Sequence, residues 1–281
     1  MVTKSIGKFA VTLVCPEGYI HSLALLEIAE TINFALLNLG HDSILSTNLS
    51  VPDRRQIILG AQLLDENTAQ IINSNAIIYN FEQIDPASPW LNITYLNLLR
   101  SHLVWDYSIN NINILTAIGI KKVQHLQLGY VNQISRIVKQ PIQDIDVLFY
   151  GSINSRRELI LNELKNYGLN VVSLFGVYGS ERDEFISRSK LVINIHFYES
   201  KIFEIARISY LLANEICVLS ETGYDPIEKN YANALVFSPY DELIEKCIFL
   251  IKNKDIREQY CLQGKAIIQS SPQESMIAKL I

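Results

Sequence analysis

The sequence predicts an α/β protein built of two domains. Short apolar runs rich in β-branched residues alternate with helical runs along the chain, and the loops after them carry glycine, polar and charged residues. The alternation breaks once, over residues 129–144, and then restarts. At roughly 100 to 200 residues per domain, 281 residues suit two domains. We place an N-terminal domain at residues 1–138 and a C-terminal domain at 139–281, whose last helices can pack back on the first domain.

The composition indicates a globular and mildly acidic protein. Hydrophobic residues make up 49% of the chain, and 24 basic side chains stand against 29 acidic ones. Nucleic-acid surfaces need clustered Lys and Arg, so we expect no nucleic-acid partner. Four cysteines without a C-x-x-C pair are typical of a reducing compartment. The sequence shows neither a signal peptide nor an uninterrupted apolar stretch of about 18 residues, so we expect a cytoplasmic protein without a transmembrane segment.

In the N-terminal half, strand-like and helix-like runs follow one another in order. The first strand covers residues 9–15, and a helix with apolar side chains at helical spacing covers 22–39. The apolar run 56–64 suits either element, and we favour a strand. Ser108 is expected to cap the helix over 108–118. The remaining predicted strands are 43–46, 76–81, 104–107 and 121–128, and the remaining helix is 90–99.

In the C-terminal half, the run DVLFY at residues 146–150 predicts a strand buried on both faces of a parallel sheet. It stops at Gly151, and either Ser152 or Asn154 can cap the helix over 155–167. Further strands are expected at residues 170–175, 191–195, 216–220 and 235–237. Further helices are expected at 181–187, 202–213, 241–251, 255–268 and 273–280.

The start of the helix over residues 155–167 is the first candidate site. Arg156 and Arg157 fall in its first turn, where cations oppose the helix dipole unless an anion shares the site. A bound phosphate would remove this conflict. A solvated helix face is the structural alternative for the two arginines.

A second candidate site lies around the helix over residues 202–213. Glu204 and Arg207 are three residues apart and can form a structural ion pair. In the functional interpretation, Glu204 accepts hydrogen bonds from ribose hydroxyls and Arg207 pairs with a phosphate. His196 suits either a ligand contact or a half-buried structural position. His196 and Glu199 have the spacing of metal ligands, but no further ligand is evident and we predict no metal site.

Two residues of the N-terminal half are candidates for a catalytic base. His21 lies at the first strand-to-helix turn, and histidine is the commonest general base; an N-cap at the adjacent Ser22 is the alternative interpretation. Glu82 follows the strand over 76–81 and has apolar neighbours, where burial raises the pKa of a carboxyl group. The carboxyl ends of strands are also where open α/β sheets bind ligands.

Several segments together carry a family resemblance. They are DVLFYGSINSRR (146–157), LFGVYG (174–179), NIHFYE (194–199) and FEIARISYLLANEICVLSE (203–221), and, in the first half, YNFEQ (79–83), VWDYS (104–108) and HLQLGY (125–130). This pattern resembles glycosyltransferases of the GT-B fold, in particular short bacterial proteins of glycosyltransferase family 1 or 4. The glutamates Glu199 and Glu204 depart from the spacing of the family's glutamate pair.

The resemblance implies two Rossmann-like domains that face each other across a cleft. It implies transfer of a sugar, of the hexosyl type, from a nucleoside diphosphate sugar to a hydroxyl acceptor such as a glycan, a lipid-linked sugar or a protein, without a metal or other cofactor. A non-catalytic binding or assembly module and another sugar-nucleotide-processing enzyme are the alternatives. The implied donor-binding residues are Gly151, Ser152, Asn154, Arg156 and Arg157 at the diphosphate, Phe175, Gly176 and Tyr178 near the base, and His196, Glu199, Glu204 and Arg207 at the sugar, ribose or phosphate. The implied catalytic residues are His21 and Glu82.

Overall fold

The computed structural model describes residues 6–85, 88 and 90–281. Residues 1–5 lie outside the described residues. They belong to the N-terminal segment in which the sequence predicts no signal peptide. The chain divides into two units: unit 1 comprises Met1–Gln133 and Pro272–Ile281, and unit 2 comprises Ile134–Ser271. The units divide at 133/134, and the domain boundary predicted from the sequence lies at 138/139.

Unit 1 contains a six-stranded sheet in the order β2-β1-β3-β4-β5-β6, and every neighbouring pair is parallel. The four inner strands of this sheet are mostly buried, as in other parallel sheets, and the two edge strands are partly exposed. The strands are β1 (Lys8–Leu13), β2 (Asp42–Ser46), β3 (Arg55–Leu59), β4 (Ile77–Asn80), β5 (Leu103–Asp106) and β6 (Val123–His125). The helices up to residue 133 are α1 (Leu26–Asn38), α2 (Glu66–Ala69), α3 (Ile93–Ser101) and α4 (Ile109–Ala117).

Unit 2 contains a five-stranded sheet in the order β11-β10-β9-β7-β8, again parallel throughout. Its core joins these strands to the helices on their faces. The strands are β7 (Ile145–Tyr150), β8 (Val171–Leu174), β9 (Ser189–Asn194), β10 (Val218–Glu221) and β11 (Val236–Ser238). The helices are α5 (Ser155–Asn166), α6 (Gly179–Ser187), α7 (Ile205–Ala213), α8 (Leu243–Lys252) and α9 (Lys254–Gln269). The last helix, α10 (Gln273–Ile277), belongs to unit 1.

Most predicted elements are confirmed, with ends displaced by a few residues. The run 56–64 was predicted as one strand and is wrong in its second half, because Gly60 adopts a left-handed conformation (φ 81°) and a 3₁₀ turn, Ala61–Leu63, follows β3. The helix expected from residue 22 begins instead with a 3₁₀ segment, Ile20–Leu25. Helix α2 and the 3₁₀ helix Pro226–Tyr231 were not predicted.

One helical stretch of the described chain, Ile20–Asn38, is long and apolar enough to cross a membrane by length and composition alone. Half of its most apolar window is buried inside the protein. Core helices of soluble proteins and signal sequences share this composition, so the stretch is weak evidence for a membrane span.

Candidate functional site

The carboxyl edge of the unit 2 sheet brings polar and charged side chains together from three strands. β7 ends at Tyr150, β9 at Asn194 and β10 at Glu221. Because these strands are parallel and adjacent, their last residues lie at one edge of the sheet. The turn after β7 and the segment after β9, which the family resemblance implies to be parts of one donor site, both start at this edge.

Two arginines converge on Gly151, directly after β7. A Cβ atom at Gly151 would lie 3.1 Å from Arg207 Nη2 and 3.7 Å from Arg157 Nη1. The glycine has a φ of 135°, which side-chain-bearing residues rarely adopt. Burial, and then the nearby charge of Arg207, lower the pKa of the Arg157 guanidinium to about 10. The turn therefore carries two like charges that an anion would stabilise.

Arg157 is a buried clamp and not part of a solvated helix face, which corrects one of the two interpretations above. The side chain is 4% exposed. Its Nε donates to the carbonyl of Ile195 at 2.8 Å and its Nη1 to the carbonyl of Ser152 at 2.8 Å. Asn154 caps α5 by accepting from the Arg157 amide at 3.1 Å, so of the two predicted capping residues Asn154 is the one used. These bonds join the end of β9 to the turn after β7.

Arg156 pairs with a carboxylate that the sequence analysis did not single out. Its Nη2 lies 2.7 Å from Glu221 Oε1, and its guanidinium stacks on the ring of Tyr240. Glu221 is fully buried and also accepts from Lys201 Nζ at 2.8 Å and from the His196 amide at 3.1 Å. Burial raises the pKa of Glu221, but the hydrogen bonds from Arg156 and Lys201 outweigh burial and leave the pKa below its ordinary value. The chain itself thus supplies an anion for this helix start.

Asn194 bridges the two charged residues at the start of α7. Its amide nitrogen donates to Glu204 Oε2, and its oxygen accepts from Arg207 Nη1 at 2.7 Å. Glu204 Oε1 lies 3.7 Å from Arg157 Nη2. Burial raises the pKa of Glu204, but its interactions with His196 and Arg207 lower it below the ordinary value. Sequence reasoning missed Asn194, although a polar residue at the end of an apolar strand was a usable signal.

His196 is buried beside Glu204. It is 1% exposed, and its Nδ1 lies 3.4 Å from Glu204 Oε2. Within the described part of the chain, neither ring nitrogen makes a hydrogen bond of good geometry. Glu199, by contrast, is exposed. No three His, Cys, Asp or Glu side chains among the described residues converge as a metal site.

The residues expected near the nucleotide base lie in the loop after the edge strand β8. Phe175 is 60% exposed, Gly176 has a φ of 74°, and Tyr178 directly precedes α6. Ser152 is exposed, and it enters the arginine cluster through its carbonyl. The described contacts therefore unite Gly151, Asn154, Arg156, Arg157, His196, Glu204 and Arg207, with Ser152 taking part through its main chain.

In unit 1, Glu82 lies just beyond β4 at the carboxyl edge of the sheet. Its Oε1 accepts a hydrogen bond from Gln62 Nε2 at 2.8 Å. Burial, only partly offset by this bond, raises the pKa of Glu82 to about 7. A carboxyl group with such a pKa can take up or release a proton near neutral pH.

His21 lies near the same edge, in the 3₁₀ segment after β1. Its ring meets Tyr19 edge-on, with centroids 5.4 Å apart. Burial, and then the charge of Glu82, raise the pKa of Tyr19, so Tyr19 neighbours both candidate bases. Ser22 lies inside the 3₁₀ segment, which begins at Ile20 with Tyr19 at its N-cap, so the interpretation of Ser22 as a helix cap is wrong.

No family model matches the chain. It is similar to Uncharacterized protein L140 of Acanthamoeba polyphaga mimivirus, at 29% identity over 191 residues, which cover 64% of this chain and 60% of that protein. Uncharacterized protein L137 of the same virus is 28% identical over 190 residues, which cover 63% of this chain and 25% of that protein. The similarity thus spans less than two thirds of the length of these two relatives.

Solved structures show the fold. WaaG, a glycosyltransferase involved in lipopolysaccharide biosynthesis, matches with a TM-score of 0.60 at 10% identity over 98% of both chains. Anabaena HepE in complex with UDP-glucose matches with a TM-score of 0.62 at 11% identity, over 97% of this chain and 98% of that one. An α1,3-fucosyltransferase with GDP-fucose matches at 0.54 and 11% identity, over 100% and 91%. The two α/β units, each with a parallel sheet, therefore match GT-B glycosyltransferase structures, as the resemblance implied.

Proposed function

We propose that the protein is a glycosyltransferase that moves a sugar, of the hexosyl type, from a nucleoside diphosphate sugar to a hydroxyl acceptor. The convergence of Arg157 and Arg207 on Gly151 carries this proposal, because it provides a positively charged turn at the sheet edge where α/β folds bind ligands. The HepE structure with UDP-glucose and the fucosyltransferase structure with GDP-fucose add support, since proteins of this fold bind such donors.

The charge of the cluster fits a diphosphate. Among the described ion pairs, Glu204 and Glu221 are the carboxylates that pair with the cations of the cluster, which are Arg156, Arg157, Lys201 and Arg207. The charge of Glu199 also acts on Arg156, so four cations face three carboxylates. Positive charge is thus in excess within the cluster. Arg207 is the best placed to meet a phosphate, because it is partly exposed and its Nη2 points to the bare side of Gly151.

In the transfer step, negative charge develops on the departing nucleoside diphosphate. Arg207 and the N-terminus of α5 would stabilise this charge, as preorganised cations and helix dipoles do. This role can replace that of a metal ion, so we propose a metal-independent reaction. No further cofactor enters the proposal, and the nucleotide sugar is a co-substrate.

On the acceptor side, we assign the base to Glu82, with His21 as the second candidate. Glu82 has a pKa near the pH at which a base works best, and it lies at the carboxyl edge of unit 1. The acceptor is a glycan, a lipid-linked sugar or a protein. The cytoplasm is the proposed location, and kinship with bacterial glycosyltransferases of family 1 or 4 is part of the same proposal.

Nucleotide binding tests the proposal first. Nucleoside diphosphates at millimolar concentration should raise the melting temperature of the purified protein, since any ligand well above its Kd stabilises the folded state. Arg207→Gln should weaken this binding at least about tenfold through loss of a charge-assisted contact. Arg188→Gln is the matched control, because Arg188 forms an exposed pair with Asp144. A protein that no nucleoside diphosphate stabilises would refute a donor site in unit 2.

Turnover separates the proposed enzyme from its alternatives. Release of nucleoside diphosphate from UDP- or GDP-sugars, lost in Arg207→Gln, is the expected result. One observation favours a non-catalytic module: Glu221 pairs with Arg156 and Glu204 pairs with Arg157, and these ion pairs give the arginines a structural role. Nucleotide binding without turnover would support that module. Mass spectrometry of the products would reveal a different sugar-nucleotide-processing reaction.

A further inference from the structure

Asp106 lies at the centre of a buried hydrogen-bond network in unit 1. It is fully buried at the carboxyl end of β5, directly opposite Asn80 at the end of β4. Its Oδ2 accepts from Asn80 Nδ2 at 2.6 Å, and its Oδ1 accepts from the Ser108 amide at 2.8 Å and from Asn111 Nδ2 at 3.1 Å. Both carboxyl oxygens therefore act as acceptors.

Asn80 and Asn111 connect Asp106 to the main chain of Glu82. Asn80 donates to the Glu82 carbonyl at 2.9 Å and accepts from the Glu82 amide at 3.0 Å. Asn111 donates to the same carbonyl at 2.9 Å and accepts from the Ile84 amide at 2.9 Å. Both polar main-chain groups of Glu82 are thus held by side chains that themselves bind Asp106.

The side chain of Glu82 has a different environment from its main chain. Among the hydrogen bonds of the described residues, its carboxyl group accepts from Gln62 alone. A shielded carboxyl group with few donors favours the protonated form, in agreement with the raised pKa. The network therefore fixes the backbone of residue 82 while its carboxyl group stays poor in donors.

We propose that Asp106 is a positioning residue for the reaction: acting through Asn80 and Asn111, it fixes the backbone of Glu82 and so holds the Glu82 carboxyl group in its shielded place. This inference rests on the proposed function, in which Glu82 accepts the proton of the acceptor hydroxyl. It also gives a role to the segments YNFEQ and VWDYS, which contain Asn80, Glu82 and Asp106.

The network requires an oxygen acceptor on both sides of the side chain at position 106. An asparagine of the same shape would present its NH₂ group either to Asn80 Nδ2 or to the donors Ser108 N and Asn111 Nδ2. In the first case Asn80 must turn its amide, and its oxygen then leaves both Tyr95 Oη (2.6 Å) and the Glu82 amide. In the second case Asn111 loses its anchor. Either way the segment that carries Glu82 is released.

The test follows the Glu82 carboxyl group by NMR. Protein with ¹³C-labelled glutamate carboxyl groups is titrated, and the Glu82 signal is assigned by its absence in Glu82→Gln. In the wild type the signal should titrate with a pKa of about 7. In Asp106→Asn the midpoint should fall by at least about one pH unit toward the ordinary value for glutamate, because the released segment becomes hydrated and a neighbouring acidic group is lost. Tyr95→Phe releases the same network without changing a charge and separates these two causes. An unchanged midpoint in this variant would overturn the inference.

Two more variants keep the test decisive. Tyr95→Phe removes only the bond to Asn80, should fold, and should lower the Glu82 midpoint by a smaller amount. If Asp106→Asn does not fold, Tyr95→Phe takes its place in the test. An unchanged Glu82 midpoint in Tyr95→Phe would then overturn the inference. Asn33→Ala is the control: Asn33 is buried in α1 and accepts from Ser43 at 2.8 Å, so its loss destabilises unit 1 but should leave the midpoint unchanged. An equal fall in this control would also overturn the inference.

The pH profile of transfer distinguishes this inference from the proposed function. If the wild type transfers sugar, the acidic limb of kcat/KM should move to lower pH in Asp106→Asn, together with the NMR midpoint. If transfer occurs but neither quantity moves, the positioning role fails while the proposed function stands. If the wild type shows no transfer, the proposed function fails, and the NMR comparison alone decides whether Asp106 holds Glu82.

Discussion

Arg156 and Glu221 form a two-pronged ion pair at the carboxyl edge of the unit 2 sheet. Arg156 Nη2 donates to Glu221 Oε1 at 2.7 Å, and Nη1 donates to Oε2 at 3.2 Å. Parallel bonds of this kind are stronger than single charged contacts and fix the geometry. The pair connects the first turn of α5 to the end of β10, which is separated from β7 in the sheet by β9. Glu221 therefore holds two cations, Arg156 and Lys201, at this edge of the sheet.

Loss of the Glu221 charge should destabilise unit 2. In Glu221→Gln, Arg156 and Lys201 lose their shared anion, and we expect the free energy of unfolding to fall by about 2 kcal/mol. This lies below the 3 to 5 kcal/mol typical of broken buried pairs, because both cations keep access to water. Asp144→Asn is the control, since the Asp144–Arg188 pair is exposed and should contribute less than about 1 kcal/mol. Urea denaturation measures both, and equal losses would contradict the central role of Glu221.

Gly151→Ala should disturb the anion site. The new methyl group would meet Arg207 Nη2 at 3.1 Å and would also force a side-chain-bearing residue to a φ of 135°. We expect nucleotide binding to weaken about tenfold or more, because Arg207 must move, and stability to fall by about 1 to 3 kcal/mol from backbone strain. Isothermal titration calorimetry with nucleoside diphosphates measures the first effect.

Gly168→Ala is the control that separates the backbone strain of Gly151→Ala from its contact with Arg207. Gly168 has a φ of 82° and open space where a Cβ would be, so alanine there is strained but touches nothing within 4 Å. This variant should lose stability and keep the wild-type affinity for nucleotide. If both variants bind equally, Gly151 has no role in the anion site.

The sequence predicts the alternation of strands and helices well, because burial on both faces of a parallel sheet demands continuous apolar runs. It also points to Gly151, Arg156 and Arg157, whose signal is local. The partner of Arg156 could not be predicted, because Glu221 lies 65 residues away and their contact depends on the order of the strands in the sheet. The sequence does not show that order. The environment of Asp106 could not be predicted for a related reason. Nothing in the neighbouring sequence shows that the carboxyl group at the end of β5 is fully buried and accepts hydrogen bonds from three donors.

Arg157→Lys should be strongly destabilising despite keeping the charge. The guanidinium of Arg157 donates to the carbonyls of both Ile195 and Ser152, and a lysine ammonium cannot reproduce that fork. At least one buried carbonyl is left unpaired, so we expect a loss of about 1 to 3 kcal/mol in urea denaturation. Arg188→Lys, at an exposed pair, should change stability by less than about 0.5 kcal/mol. Similar small changes in both variants would show that Arg157 is not a clamp.

Glu82 should make unit 1 less stable as the pH rises. Its pKa is about 7 in the folded protein, above the value of about 4.3 expected in the unfolded chain, so the folded state binds the proton more tightly. The resulting stabilisation is complete below about pH 4 and is lost as the pH approaches and passes 7. The shift corresponds to at most about 4 kcal/mol, and less after allowance for the partial exposure of the residue.

Glu82→Gln removes this titration and isolates it from that of Asp106, whose pKa burial also raises to about 7. Urea denaturation from pH 4.5 to 8.5 measures the unfolding free energies of the wild type and Glu82→Gln. As the pH rises, the wild type should lose stability relative to Glu82→Gln, and the difference should become constant above about pH 8. Glu17→Gln, at an exposed loop position, should show no such trend. A difference that stays constant with pH would mean that Glu82 titrates as an ordinary surface carboxyl group, and the assignment of Glu82 as the base would lose its physical support.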